Sequence, residues 1–148
     1  TTMQAHIVDF AREVKARNGT HTLVVIRESN TGYVFGGYVH GPYGVSSDWQ
    51  PMSAENFVFT HGNVTGSPVK LTGEPSNQDA HYEGANYGIT MGTGHDLTIS
   101  SSGSHANPST STTVAPGYTA AGPITNSTLS GAGTSFVIQT VEVFTIVD

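Results

Sequence analysis

Apolar residues follow two different periods along this chain. From Gln4 to Arg17, the residues Ile7, Val8, Phe10, Ala11 and Val14 fall on one stripe of a 3.6-residue repeat. That spacing predicts a short amphipathic helix over about 4–17. Asp9 and Glu13 stand early and Lys15 and Arg17 late, the order a helix dipole favours, and Asn18-Gly19 is a suitable stop. Beyond it the pattern changes to strands divided by turns. Thr22–Arg27 is β-branched and mostly apolar, which predicts a central strand. Ser29-Asn30-Thr31-Gly32 then reads as a turn, with Tyr33–Val39 as the hairpin partner. Asn56–Thr60, Val69–Leu71, Leu97–Ile99 and Ser135–Val147 complete the strands. The last alternates Phe136, Ile138, Val141 and Val143 with polar neighbours, and its one slip of phase predicts a bulge.

Between Ser100 and Ser135 the chain is nearly all Ser, Thr, Gly, Ala, Pro and Asn, with Val114, Tyr118, Ile124 and Leu129 as its apolar anchors. A structureless loop of that length is uncommon inside a compact domain, so an ordered irregular loop is expected. With 148 residues and no internal boundary or repeat, the chain reads as one domain, the helix at about 4–17 and a β-sandwich over about 22–148.

Composition narrows the possible functions. The formal charge is −6, from five Lys plus Arg against eleven Asp plus Glu, which argues against nucleic acid and against an anionic membrane surface. No apolar run approaches the length of a membrane span, so no membrane insertion is expected. Charged residues are only 11% of the chain, while Ser and Thr number 35. A surface kept soluble by hydroxyls rather than charge is commoner in secreted β-proteins. Three glycosylation sequons, at Asn18, Asn63 and Asn126, and a start at Thr1 rather than Met fit a processed, secreted product. Cysteine is absent, which excludes disulfides, Cys-ligated zinc and thiol chemistry.

Six strings in order carry a family resemblance. They are Thr22-Leu23-Val24-Val25-Ile26, Tyr33-Val34-Phe35-Gly36-Gly37-Tyr38, Trp49, and Asn56-Phe57-Val58-Phe59-Thr60. Gly92-Thr93-Gly94-His95-Asp96-Leu97-Thr98-Ile99 and Phe136-Val137-Ile138-Gln139-Thr140-Val141-Glu142-Val143-Phe144 follow. Together they resemble the TLDc domain family. The resemblance implies a mainly β fold, a TLDc-like β-sandwich with one short N-terminal helix and long irregular loops. The chain departs from the family pattern at Gly88-Ile89-Thr90-Met91, where Gly-Pro-Thr-Phe is usual. Within the strings, Gly36 and Gly37 suggest places where another backbone comes close, and Glu142 in an apolar strand suggests a buried or half-buried charge needing a partner. The resemblance implies no catalytic set. It does imply an alternative function, an intracellular protein-interaction module in oxidative-stress resistance or vacuolar proton-pump binding.

Candidate chemistry is sparse. No Gly-x-Ser-x-Gly elbow exists, Ser102-Gly103-Ser104-His105 is a polar loop, and Gly92-Thr93-Gly94 lacks the Lys of a phosphate loop, so no enzyme is expected. The seven histidines show no zinc spacing, and His95 reads as a hydrogen-bonding core residue. The polar cluster Gly73–Tyr87 is different, because it packs Glu74, Asp79 and Glu83 among amides with no Lys or Arg. Crowded carboxylates without a cation suit Ca2+, which takes six to eight oxygen ligands. The order Glu74-Pro75-Ser76-Asn77 is similar to the Glu-Pro-Asn calcium loop of C-type lectins, with one residue more. Glu74, Asn77, Asp79 and Asp96 are therefore the candidate metal ligands. A calcium ion with open positions can share two sugar hydroxyls, with Glu83, Asn86, His95 and Asn107 hydrogen-bonding the rest and Tyr82 or Tyr87 covering the apolar sugar face. Trp49 and Tyr118, on expected loops, are further rings, though Trp49 stands where TLDc members keep a Trp and so favours a structural role. The expected function is a secreted, calcium-dependent lectin binding glycans as a homodimer.

Overall fold

The structure, a computed structural model, describes residues 21–41, 48–61, 68–73, 81–82, 90–92, 96–100, 103–106, 118–119, 129–131 and 135–146. The helix expected over 4–17 lies outside them. All the described regular structure is β, in two antiparallel sheets. In chain order the strands are β1 (His21–Glu28), β2 (Val34–His40), β3 (Trp49–Gln50), β4 (Phe57–His61) and β5 (Val69–Gly73). Then come β6 (His81–Tyr82), β7 (Thr90–Met91), β8 (Leu97–Ser100), β9 (Gly103–Ala106), β10 (Tyr118–Thr119) and β11 (Ile138–Ile146). The six-stranded sheet runs β10-β5-β4-β2-β1-β11 and the five-stranded sheet β3-β6-β7-β8-β9.

The period-two alternation sets which side chains enter the core. Val24, Ile26, Phe35, Val39, Val58 and Leu71 of the larger sheet are buried with Met91, Leu97 and Ile99 of the smaller one in a single cluster. β1 pairs on both sides, with β2 and β11, as its β-branched run suggests. The phase slip in β11 is a bulge: Arg27 faces Thr140 and Glu28 faces Ile138, so Gln139 is the extra residue. Ile138, Val141 and Val143 keep the alternation and pack against the core.

The Phe35-Gly36-Gly37-Tyr38 string has two separate reasons for its glycines. A Cβ at Gly36 would stand 1.9 Å from the Val24 carbonyl oxygen, so here backbone approaches backbone as expected. A Cβ at Gly37 would stand 2.2 Å from the Met91 sulfur, so the second glycine admits a side chain from the opposite sheet. Met91 therefore fills the space in which the two sheets meet.

Two expectations are corrected. Glu142 is exposed, because β11 is the last strand of its sheet and Glu142 stands in register with Val25, away from the core. No buried partner is needed there. Trp49, Tyr82 and Tyr118 lie on strands rather than loops, and Tyr118 is fully buried in the core, where it reaches no sugar. Tyr118 and Leu129 do anchor the polar stretch from 100 to 135, both fully buried; Val114 and Ile124 lie outside the described residues.

The buried charge is instead Glu28. Its carboxylate accepts the backbone N–H of Asn30 (2.6 Å), of Thr31 (2.5 Å) and of Val137 (3.2 Å). It also accepts from Asn30 Nδ2 (3.1 Å) and lies 2.9 Å from Thr31 Oγ1. That hydroxyl stands equally close to the Ser130 carbonyl, so one proton is shared between two acceptors. Around it, Glu28 N donates to the Tyr33 carbonyl and Ser29 N to the Val137 carbonyl. One carboxylate thus joins the β1–β2 turn, the entry to β11 and the end of the polar stretch. Burial pushes the Glu28 carboxyl up, but the donors of Thr31, Val137 and Asn30 outweigh it and hold it below its usual 4.5.

Two outcomes are expected. Gly36→Ala costs about 3 kcal/mol or more, since a carbonyl in a strand ladder cannot yield, while Gly37→Ala costs about 1–3 kcal/mol because Met91 can rotate away. Urea midpoints compare the two directly. A lowered carboxyl gives stability that is full above its unfolded value and lost as pH falls through the folded one. Glu28→Gln should accordingly lower the urea midpoint at pH 7, by about 2 kcal/mol for mismatched buried donors, and flatten the fall in stability below pH ~4.5.

Candidate functional site

The smaller sheet sets one line of side chains on the face turned from the core cluster, a face on which Thr90 and Thr98 are themselves buried. Trp49 of β3 faces Tyr82 of β6, Tyr82 faces Thr90 of β7, and Thr90 faces Thr98 of β8. The residues one step along, His81, Met91 and Leu97, form the line on the core side. Period-two geometry makes the two lines inseparable: Met91 entering the core obliges Thr90 to turn outward.

Trp49 and Tyr82 meet edge to face, ring centroids 5.4 Å apart and planes 65° to one another, and both are half-buried. Asp48 sets the start of β3 by accepting the Trp49 N–H at 2.8 Å. Thr90 and Thr98 beside them are buried. The aromatic pair is part-exposed while the Thr90 and Thr98 hydroxyls are closed off from solvent, so the ring surface is what this part of the sheet can offer to the apolar face of a sugar.

Of the expected ligand and sugar residues, the structure describes two. Tyr82 is in the pair just given. Asp96 is fully buried directly before β8, its carboxylate set over Gly92, whose φ is +84°. A Cβ at Gly92 would fall 1.7 Å from an Asp96 oxygen, so glycine and aspartate fit together as the link from β7 to β8. Glu74, Asn77 and Asp79, and likewise Glu83, Asn86, Tyr87, His95 and Asn107, lie outside the described residues. Along the chain, residues 74–80 lead directly into β6 and residues 83–89 lead from it to β7. Among the described residues, no three His, Asp or Glu side chains are grouped to hold a metal.

A second polar cluster escaped the sequence reading. His21 of β1 and His40 of β2 are directly paired and their rings stack, centroids 4.2 Å apart. His21 Nδ1 accepts the Gly41 N–H at 3.2 Å, which puts the His21 proton on Nε2. His40 Nδ1 lies 2.5 Å from a Glu55 oxygen, and Tyr38 stacks on Phe57, which in turn carries Lys70 over its ring at 4.3 Å. Both histidines end strands of one hairpin, and only the hairpin register brings them together.

The aromatic pair lies outside the core cluster and should be separable from the fold. Tyr82→Ala is expected to leave the far-UV spectrum unchanged and to shift the emission of Trp49, the single tryptophan, by removing the ring against it.

The model of the TLDc domain matches residues 3–147, nearly the whole chain, and the protein belongs to that family. No curated protein matched the sequence.

Proposed function

We propose that this TLDc domain is a secreted carbohydrate-binding protein that holds glycans at the outer face of its smaller sheet, with Ca2+ as a bridging ion. The observation that supports the reading best is the Trp49–Tyr82 pair, half-buried beside Thr90 and Thr98, with the acidic and amide-rich segments 74–80 and 83–89 entering and leaving the very strand that carries Tyr82. An apolar ring surface covers the C–H face of a sugar, and carboxylate and amide oxygens take its hydroxyls directly or through calcium. Glu74, Asn77 and Asp79 are the proposed calcium ligands. Asp96, buried against Gly92, serves by fixing the turn that precedes β8. Glu83, Asn86 and Tyr87 are the proposed sugar contacts beside Tyr82, with His95 and Asn107 completing them. The role is binding rather than catalysis. A chain with 11% charged residues and 35 Ser and Thr favours secretion.

Membership of the family favours one other reading, an intracellular module that binds a protein partner. A glycan array run in calcium and again in chelator separates the two. The glycan reading expects retained sugars that are lost with chelator, a loss of ten-fold or more in affinity for Tyr82→Ala, and abolished calcium dependence for Glu74→Ala or Asp79→Ala. Sugars bound equally with and without calcium would remove the ion from the proposal. An array with no binding in either condition would leave the protein-partner reading.

A further inference from the structure

We infer that the segment Gln4–Arg17 lies as a helix on the outer face of the six-stranded sheet, with the ring of Phe10 over Gly36. The sheet itself calls for a cover. Val24, Ile26, Phe35, Val39 and Val58 enter the core, so the residues between them along β1, β2 and β4 point the other way. Those are Leu23, Val25, Val34, Tyr38, Phe57 and Phe59, apolar or aromatic throughout and each half-buried. An antiparallel sheet with one face in water alternates apolar with polar residues, whereas strands apolar on both sides belong to a sheet covered on both. Exposed polar residues stand only around the margin: Arg27 and His61 at one end, Lys70 and Thr72 along β5, Thr140 and Glu142 along β11.

The occupant follows from where the chain joins this face. Residues 1–20 lead into β1 at His21, which stands in one row with His40 and Ile146 at the end opposite Arg27. His21, Tyr38 and Ile146 each make an interaction besides those named above, and all three stand in the two rows at that end. Within residues 1–20 the stripe of Ile7, Val8, Phe10, Ala11 and Val14 is the apolar face that can meet them. From Arg17 to His21 the chain spans at most about 14 Å, so the helix cannot leave the neighbourhood of β1. A helix of the length of Gln4–Arg17 is about 21 Å long, enough to cross the apolar rows. The inner face of the same sheet is already closed by Met91, Leu97 and Ile99 of the smaller one.

Gly36 sets the seating. It stands in register between Val25 and Phe59 on the outer face and brings no side chain of its own, which leaves a gap in the floor. Phe10 is the one ring of the helical stripe and the side chain large enough to fill that gap. The most aromatic face of the sheet is thereby used within the chain and closed to a protein partner, whichever function the smaller sheet serves.

Two measurements on the full chain test the placement. The chain has no cysteine, so Glu13→Cys, on the polar side of the helix, takes a single nitroxide label. The label should broaden the NMR signals of the Leu23, Val25, Tyr38 and Phe59 side chains and leave those of Trp49 and Tyr82 sharp. Urea titrations of Phe10→Ala, Phe59→Ala and the double variant form a cycle. With the two rings in contact, the folding constant of the double variant should stand five-fold or more above the value expected if the single losses multiplied. Where Phe59→Ala is too unstable to titrate, Phe59→Leu takes its place in the cycle. A label that broadens the signals of Trp49 and Tyr82, a label that broadens neither set, or single losses that simply multiply would each overturn the inference.

Discussion

A carboxylate with no water around it has to be surrounded by donors, and Glu28 is the point on which this architecture turns. Its partners come from three stretches of chain: the β1–β2 turn through Asn30 and Thr31, the entry to β11 through Val137, and the end of the polar stretch through the hydroxyl it shares with Ser130. Two of these stretches also carry a core side chain, Phe136 beside Val137 and Leu129 beside Ser130, so the carboxylate works together with apolar anchors. The charge converts three loosely specified connections into one specified corner, and the Thr60 hydroxyl adds a tie to the Leu129 carbonyl at 2.9 Å. Through Val137 that corner holds the entry to β11 beside the end of β1.

From the corner the rest is built by alternation and close approach. Gly36 lets the hairpin backbone lie against Val24, and Gly37 admits Met91 across the interface between the sheets. Met91 pointing inward makes Thr90 point outward, and the ladder carries that phase to Tyr82 and Trp49 on one side and Thr98 on the other. The candidate site is thus the reverse side of the core: whatever fixes Met91 also fixes the aromatic pair.

Much of this was legible in the sequence. β-branched runs with period two gave the long strands to within about three residues, the phase slip gave the bulge at Gln139, and the Ser29–Gly32 turn and Gly36 fell where local chemistry put them, while Gly37 meets the Met91 side chain and not the expected backbone. What was not legible depends on contacts between distant residues. Glu28, after Arg27 at a strand end, looks like any surface carboxylate, and only folding brings Val137 to it. Glu142 looks buried because its neighbours are apolar, yet an edge strand exposes one side of such a pattern. Trp49 and Tyr82 sit on strands of two residues, too short for any period to declare them, and only the sheet makes them neighbours. Tyr118 was read as a loop ring because its surroundings are polar, although that polarity is what makes it the anchor of its segment.

Trp49 is the single tryptophan of the chain, so its fluorescence reports on one place. The most direct measurement is a titration of glycan, chosen as any that the protein retains, into the calcium-loaded protein while Trp49 emission is followed. A sugar seated against the Trp49–Tyr82 pair changes the emission saturably, with a midpoint equal to the independently measured affinity, and added chelator reverses the change. Saturable glycan binding with Trp49 emission unmoved would place the sugar elsewhere on the molecule and contradict the account.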